Sequence, residues 1–288
     1  MTTIGFILII FSAICHATWN YATKKVKSDS TFIWLFSAIS SIIYLPFALI
    51  SLFIYDINFK LHFIPFVLGS VVLHSIYFIL LNKGYSVGNL SIIYPLARGT
   101  GPLFSTIIAI ILLKEKASLI AIIGIFLIIF GIISIAGNPV LILSSNKDND
   151  KSLIYAFFCG LTIASYTVFD KIAVSTLMLP PIIFDWLTNL GRVILLTPYA
   201  FRRRDQLKQL INHHKKEVFT VAILSPLSYI LVLTAMVSIP LFYVAPIREL
   251  SILVGTFFGV KFLSEELTKI KLMGICLMTI GIITLSLG

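Results

Sequence analysis

The chain has 288 residues, of which 58% are hydrophobic and only 12% charged, and its mean hydropathy is +1.03. A soluble domain carries about 25% charged residues, so half the usual charge is missing, while apolar runs of membrane-crossing length recur from end to end. A soluble globular protein is excluded, and the net charge of +10 has to be read loop by loop rather than as a nucleic-acid footprint.

Cutting at polar punctuation predicts ten spans, at about 4–23, 32–55, 62–82, 90–113, 117–137, 152–173, 181–201, 217–238, 241–262 and 269–287. The first span has no basic stretch before it and many spans after it, so it reads as a retained helix rather than a signal peptide. It carries Ser12, His16, Trp19 and Asn20 at i, i+4, i+7 and i+8, one polar stripe on an apolar helix. The third span adds His74 and Tyr77 at i, i+3.

The fourth span, "SIIYPLARGTGPLFSTIIAIILL", holds Tyr94 and a lone Arg98 among Pro95, Gly99, Gly101 and Pro102. Hydrocarbon tolerates neither a lone guanidinium nor helix breakers cheaply. The sixth span repeats the polar stripe of the first as Thr162, Tyr166, Phe169 and Asp170. The seventh has Asp185, Asn189 and Arg192 on one face, two charges able to neutralise each other. The ninth contains "YVAPIRELSILVG", with Arg248 close behind Pro246 and followed by Glu249. Cys15, Cys159 and Cys276 fall inside apolar runs, where they behave as small hydrophobes, and no metal-ligand spacing or disulfide framework exists among them.

Shifted by 150 residues, the chain lies on itself: Arg98 meets Arg248, Glu115 meets Glu265, Thr106 meets Thr256, Gly124 meets Gly274 and Gly131 meets Gly281. Two intramembrane arginines, two acids and two glycine pairs in one ungapped register mark a duplication of a five-helix unit. The expected domains are a first repeat over 1–138, a connecting loop over 139–151 and a second repeat over 152–288. Five is odd, so the second copy enters the membrane from the opposite side. The fold class is therefore all-α integral membrane, ten transmembrane helices as two inverted five-helix repeats, an architecture of many secondary transporters. The seven-residue spacing of each glycine pair lines one helix face and suits close packing.

Loops opposite the termini hold fifteen basic residues (Lys24, Lys25, Lys27, Lys83, Lys147, Lys151, Arg202, Arg203, Arg204, Lys208, Lys215, Lys216, Lys261, Lys269 and Lys271), against four on the termini side (Lys60, Lys114, Lys116 and Lys171). The imbalance predicts both termini outside the cytoplasm and a basic surface for anionic lipid.

Arg98 and Arg248 have two readings. Each is half of a buried arginine–acid pair, with Glu249 or Asp170 as partner, or each coordinates an anion beside a midplane site, since the planar guanidinium binds carboxylate or phosphate bidentately. The repeat favours the second. Polar character at mid-depth on repeat-related helices makes His16, Trp19, Asn20, His74, Tyr77, Tyr94, Arg98, Tyr166, Arg248 and Glu249 the expected substrate-binding residues. His16, Asp170 and Glu249 are the candidates for a coupling proton. No catalytic residue is expected: Glu265-Glu266 sits at a helix end, and HExxH, GxSxG and the Walker lysine loop are all absent, so neither an enzyme nor an ATP-driven pump is indicated.

The five-helix duplication, the segments "LLKEKAS" and "FLSEELT" ahead of helices with glycines seven apart, and the motifs "HATWN", "YPLARGTGP", "SYTVFDK" and "IRELSILVG" resemble the EamA-type transporters of the drug/metabolite transporter superfamily, over essentially the whole chain. The resemblance implies a proton- or gradient-driven carrier of small polar metabolites, amino-acid-like or drug-like, in the bacterial cytoplasmic (inner) membrane. It also implies alternating access, with substrate contacts on helices 1, 3, 4, 6, 8 and 9. Many relatives are described with cytoplasmic termini, against the charge distribution here, which leaves the direction of transport open. The expected partners are a small-molecule substrate, protons and membrane lipid, with no cofactor, no metal and no nucleic acid, and the chain is a monomer or a homodimer. The competing readings are a flippase of an amphiphile or lipid intermediate and a non-transporting receptor or assembly subunit.

Overall fold

The computed structural model describes residues 3–26, 30–55, 61–87, 90–136, 147–263 and 267–287. Among them the regular structure is all helical: α1 (Thr3–Lys25), α2 (Ser30–Tyr55), α3 (Ile64–Val87), α4 (Leu90–Leu112), α5 (Leu119–Ala136), α6 (Lys147–Ser175), α7 (Pro181–Phe201), α8 (Arg204–His213), α9 (Lys215–Ser238), α10 (Leu241–Arg248), α11 (Leu250–Leu263) and α12 (Lys269–Leu287). Four stretches, Thr3–Thr23, Ser30–Tyr55, Phe157–Ser175 and Lys215–Ser238, are long and apolar enough to cross a membrane, and Ile64–Leu80, Thr100–Leu112 and Leu119–Ser134 are shorter apolar helices.

Two elements differ from the sequence expectation. The segment predicted as a loop at 202–217 contains α8, whose Leu207, Leu210 and Ile211 fall on one face among charges, and none of whose residues is buried. The ninth span is interrupted rather than merely bent. Pro246 removes a backbone donor, and Glu249 closes α10 with its N–H on the Pro246 carbonyl at 3.1 Å, a tightened last turn, before α11 begins.

Burial is inverted relative to a water-soluble protein. Phe53, Leu119 and Ile42 are 87%, 74% and 72% exposed, while Ser12, Thr31, Ser37, Ser40 and Ser70 are buried. Lipid accepts the apolar exterior, and polar side chains turn inward to bond other helices.

The helices group into two compact units, one of residues 1–2, 73–169 and 239–288 and the other of 3–72 and 170–238. They are called here the first and second unit, and each draws on both halves of the sequence. In the first unit, α5 and α12 touch backbone to backbone. A Cβ on Gly124 would lie 2.8 Å from the Gly281 carbonyl oxygen, and one on Gly131 would lie 2.7 Å from the Gly274 carbonyl oxygen. The two helices therefore run antiparallel. Because Gly124 corresponds to Gly274 and Gly131 to Gly281, the repeat maps each contact onto the other, which is the signature of a local pseudo-twofold.

In the second unit, α1 packs on α9, and α2 packs on α7 and α9. Ser12 Oγ donates to the Ser228 carbonyl at 2.7 Å, Trp34 Nε1 to Thr197 Oγ1 at 2.9 Å, and Trp186 Nε1 to the Ser41 carbonyl at 2.8 Å. Pro226, inside α9, has no N–H for the carbonyl of Ala222 one turn earlier. Ser40 Oγ donates to that carbonyl at 2.7 Å, and Tyr44 Oη donates to the next one, on Ile223, also at 2.7 Å. The proline kink is thus satisfied by α2, as hydrocarbon demands.

Ser40→Ala is expected to cost about 1 kcal/mol, the scale of an interhelical hydrogen bond in a membrane, read as a loss of unfolding free energy in bicelles. Pro226→Ala restores an N–H to α9, so in that background Ser40→Ala costs distinctly less. Equal cost in both backgrounds would show that the serine is not compensating for the proline.

Candidate functional site

In the first unit, the i, i+3 spacing of His74 and Tyr77 puts both on one face of α3, and that face meets Tyr166 of α6. The His74 imidazole stacks on the Tyr166 ring with centroids 4.1 Å apart and 29° between planes, and Tyr77 meets the same ring edge-on at 5.8 Å and 71°. His74 and Tyr166 are buried. Each ring contact contributes on the order of 0.5–1.5 kcal/mol beyond area burial, so the three rings hold one another in a fixed cluster with polar edges. Sequence reasoning selected all three residues without pairing them.

Arg248 and Glu249 are also in this unit, at the interruption between α10 and α11, 8% and 3% exposed respectively. What positions them begins at the other end of α10. Its N-cap is Pro240, which has no side-chain capping group, so the first N–H groups of the helix need another acceptor. Glu115 supplies it: Oε1 accepts from the Leu241 N–H at 2.8 Å and Oε2 from the Phe242 N–H at 3.1 Å. A carboxylate there also faces the positive end of the helix dipole. Glu115 is aimed by a sharp stop at the end of α4. Lys114 takes the left-handed backbone conformation (φ 55°), with lysine where glycine is usual at a helix end, and the Glu115 N–H reaches back to the Ala109 carbonyl at 3.2 Å. The sequence displayed Glu115 only as the repeat partner of Glu265, because a cap supplied from a distant loop leaves no local signal.

In the second unit, His16 is buried and meets the Trp19 ring edge-on at 4.8 Å. The Trp19 indole N–H is buried and makes no hydrogen bond among the described residues. Asn20 Nδ2 donates to the His16 carbonyl of its own helix at 2.7 Å. Asp170, wholly buried, accepts from the Tyr229 hydroxyl of α9, and the Lys171 ammonium donates to the Met236 carbonyl. Tyr229 was not selected from the sequence: its repeat counterpart is Ile79, and its partner lies on another helix. Lys171, counted above among loop charges, is 9% exposed and belongs to the interior. The side chains of Tyr94 and Arg98 lie outside the described residues. Among the described residues no group of three His, Cys, Asp or Glu is placed to hold a metal ion.

The model of the EamA-like transporter family matches residues 3–137 and matches again at 150–287. Among curated proteins nothing matches. Of solved structures, 28 chains match. One, a crystal structure, is 11% identical, with a TM-score of 0.75, covering 100% of this chain and 98% of its own, a likeness of fold.

Glu115→Ala leaves two helix N–H groups uncapped and is expected to lower stability by about 1–2 kcal/mol, measured by thermal unfolding in detergent. Glu115→Gln keeps one acceptor and should fall between the two. A glutamine variant as weak as alanine would mean that the charge, not the geometry, is what the helix end uses.

Proposed function

The chain belongs to the EamA-like transporter family, and we propose that it is a secondary active carrier moving a small zwitterionic or anionic, amino-acid-like metabolite by alternating access. That it is a multi-pass membrane transporter of the drug/metabolite kind follows from the family match and the apolar helices. The substrate class is read from buried residues.

The observation that carries the reading is Arg248, buried beside the interruption of α10 and α11. Non-helical backbone at membrane depth is tolerated where it is enclosed by protein or lines a cavity, and transporters place anionic substrate groups at such discontinuities. Arg248 offers the planar fork that suits a carboxylate or phosphate, and Arg98, its repeat counterpart, is proposed for the same task. Tyr94, His74, Tyr77 and Tyr166 are proposed to contact the remainder of the substrate. The coupling ion is proposed to be a proton, with His16, Asp170 and Glu249 as its candidate carriers. The antiparallel contact of repeat-related α5 and α12 supports opposite insertion of the two halves.

The test is thermal-shift screening of the purified protein with a panel of amino acids, dicarboxylates and sugar phosphates. A true substrate at a hundred times its Kd stabilises by about 2.7 kcal/mol. Arg248→Gln should abolish the shift and Arg248→Lys should restore only part of it, since charge returns without the fork. A panel hit that stabilises Arg248→Gln as well as the wild type would remove the arginine from substrate recognition.

Both termini are proposed to lie outside the cytoplasm, on the basic-residue imbalance, which loses only Lys171 when that buried side chain is set aside. A C-terminal fluorescent-protein fusion should be dark and a phosphatase fusion at the same place active. The opposite pattern reverses the orientation.

A further inference from the structure

Asp185, Asn189 and Arg192 follow i, i+4, i+7 on α7, so they share one face, and all three are buried at 4%, 5% and 7% exposure. That face looks onto α2. Asn189 Nδ2 donates to Asp185 Oδ2 at 2.9 Å and to the Asp185 carbonyl at 3.0 Å. Arg192 Nη1 donates to Asn189 Oδ1 at 3.3 Å and reaches Ser37 Oγ of α2 at 3.5 Å. We propose that this triad is a proton-binding site, with Asp185 taking up and releasing the proton. The proposal rests on the transporter reading for its role as coupling site, but not for its chemistry.

The geometry differs from that of a structural ion pair. A permanent buried pair sets the guanidinium fork against the carboxylate with short, charge-assisted bonds. Here no direct bond joins the two charges: the neutral amide of Asn189 stands between them, donating to Asp185 and accepting from Arg192. The Asn189 amide is the only side chain that bonds the Asp185 carboxyl among the described residues. Burial with one neutral donor disfavours an ionised carboxylate relative to the neutral acid, whereas Arg192 at one remove favours the ionised form. The two effects oppose each other, which brings the two protonation states close together in energy. Asn189 suits both, because its N–H donates to a carboxylate oxygen or to the carbonyl oxygen of the acid, and its own carbonyl holds Arg192 in either case.

The surroundings add a second acid. Tyr44 on α2 and Asp170 on α6 lie within electrostatic range of Asp185, and Tyr229 of α9 donates to Asp170. Lys171 is turned to the Met236 carbonyl. The charged residues of α8 are exposed and follow the far end of α7, away from Asp185. The ligand is a proton rather than a metal cation: a cation needs several oxygens converging on it, and here the amide oxygen is committed to Arg192. In the step itself, one O–H bond forms at Asp185 with a proton from water, and the triad goes from neutral to singly positive.

The test is infrared difference spectroscopy of the full chain in lipid nanodiscs across a pH series, following the carboxylic-acid carbonyl band without any substrate. A protonated-acid band that titrates in the wild type, disappears in Asp185→Asn and keeps its place but changes midpoint in Arg192→Gln is the expected result. Asp205→Asn, on exposed α8, should leave the band untouched. Should Asp185→Asn fail to fold, Asp185→Glu retains an acid and should shift the band frequency. A spectrum unchanged in whichever of these two Asp185 variants folds would overturn the proposal. Because the readout needs no substrate, it stands or falls separately from the ligand panel.

Discussion

Lipid offers no hydrogen bond, so a proline inside a buried helix leaves a carbonyl that only another part of the chain can satisfy. The contacts of Ser40 and Tyr44 with the carbonyls beside Pro226 meet that demand from α2. The same constraint explains why serines occupy the interior while phenylalanine and isoleucine face outward, and why the indole donors of Trp34 and Trp186 reach across to a neighbouring helix. It also governs the ends of helices. Glu115 caps α10, whose N-cap Pro240 offers no side-chain acceptor of its own. A chain built under this rule can keep a charged or unbonded group inside only where something holds it, which gives each such group in the two units a physical meaning.

The repeat is kept in the packing glycines and broken at several buried polar positions. Glycine stands opposite glycine in α5 and α12, and arginine corresponds to arginine in α4 and α10. By contrast His16 corresponds to Tyr166, Asn20 to Asp170, His74 to Leu224 and Tyr229 to Ile79. His74 and Tyr166 meet in the aromatic cluster of the first unit, and Asp170 and Tyr229 in the carboxylate–phenol contact of the second, so neither contact is reproduced by its repeat counterpart.

Much of this was legible in the sequence, for identifiable reasons. Apolar length announced the helices, the 150-residue register announced the duplication, and Pro246 before Arg248 announced trouble in the ninth span. Periodicity names the face a side chain occupies and not the partner that face will meet. Hence His74 and Tyr77 were put on one face without their stacking partner Tyr166, and Asp185 and Arg192 were matched directly, without the amide that separates them. Lys171 looked like a loop charge because it ends an apolar run, and only packing reveals that it is buried. The amphipathic pattern of α8 was present in Leu207, Leu210 and Ile211, but density of charge made the segment read as a loop. The two compact units, which mix the sequence halves, could not be read from order along the chain at all.

The glycine seam of the first unit has a mechanical consequence. Where helices meet through side chains, rotamers supply slack, and the contact can yield by small repacking steps. At the glycines of α5 and α12 backbone lies against backbone, with no room for a methyl group. The two helices form a rivet: they translate as one body or the seam parts. The same unit also holds the interruption around Glu249, so a joint with no slack and a helix already broken beside Arg248 belong to one body.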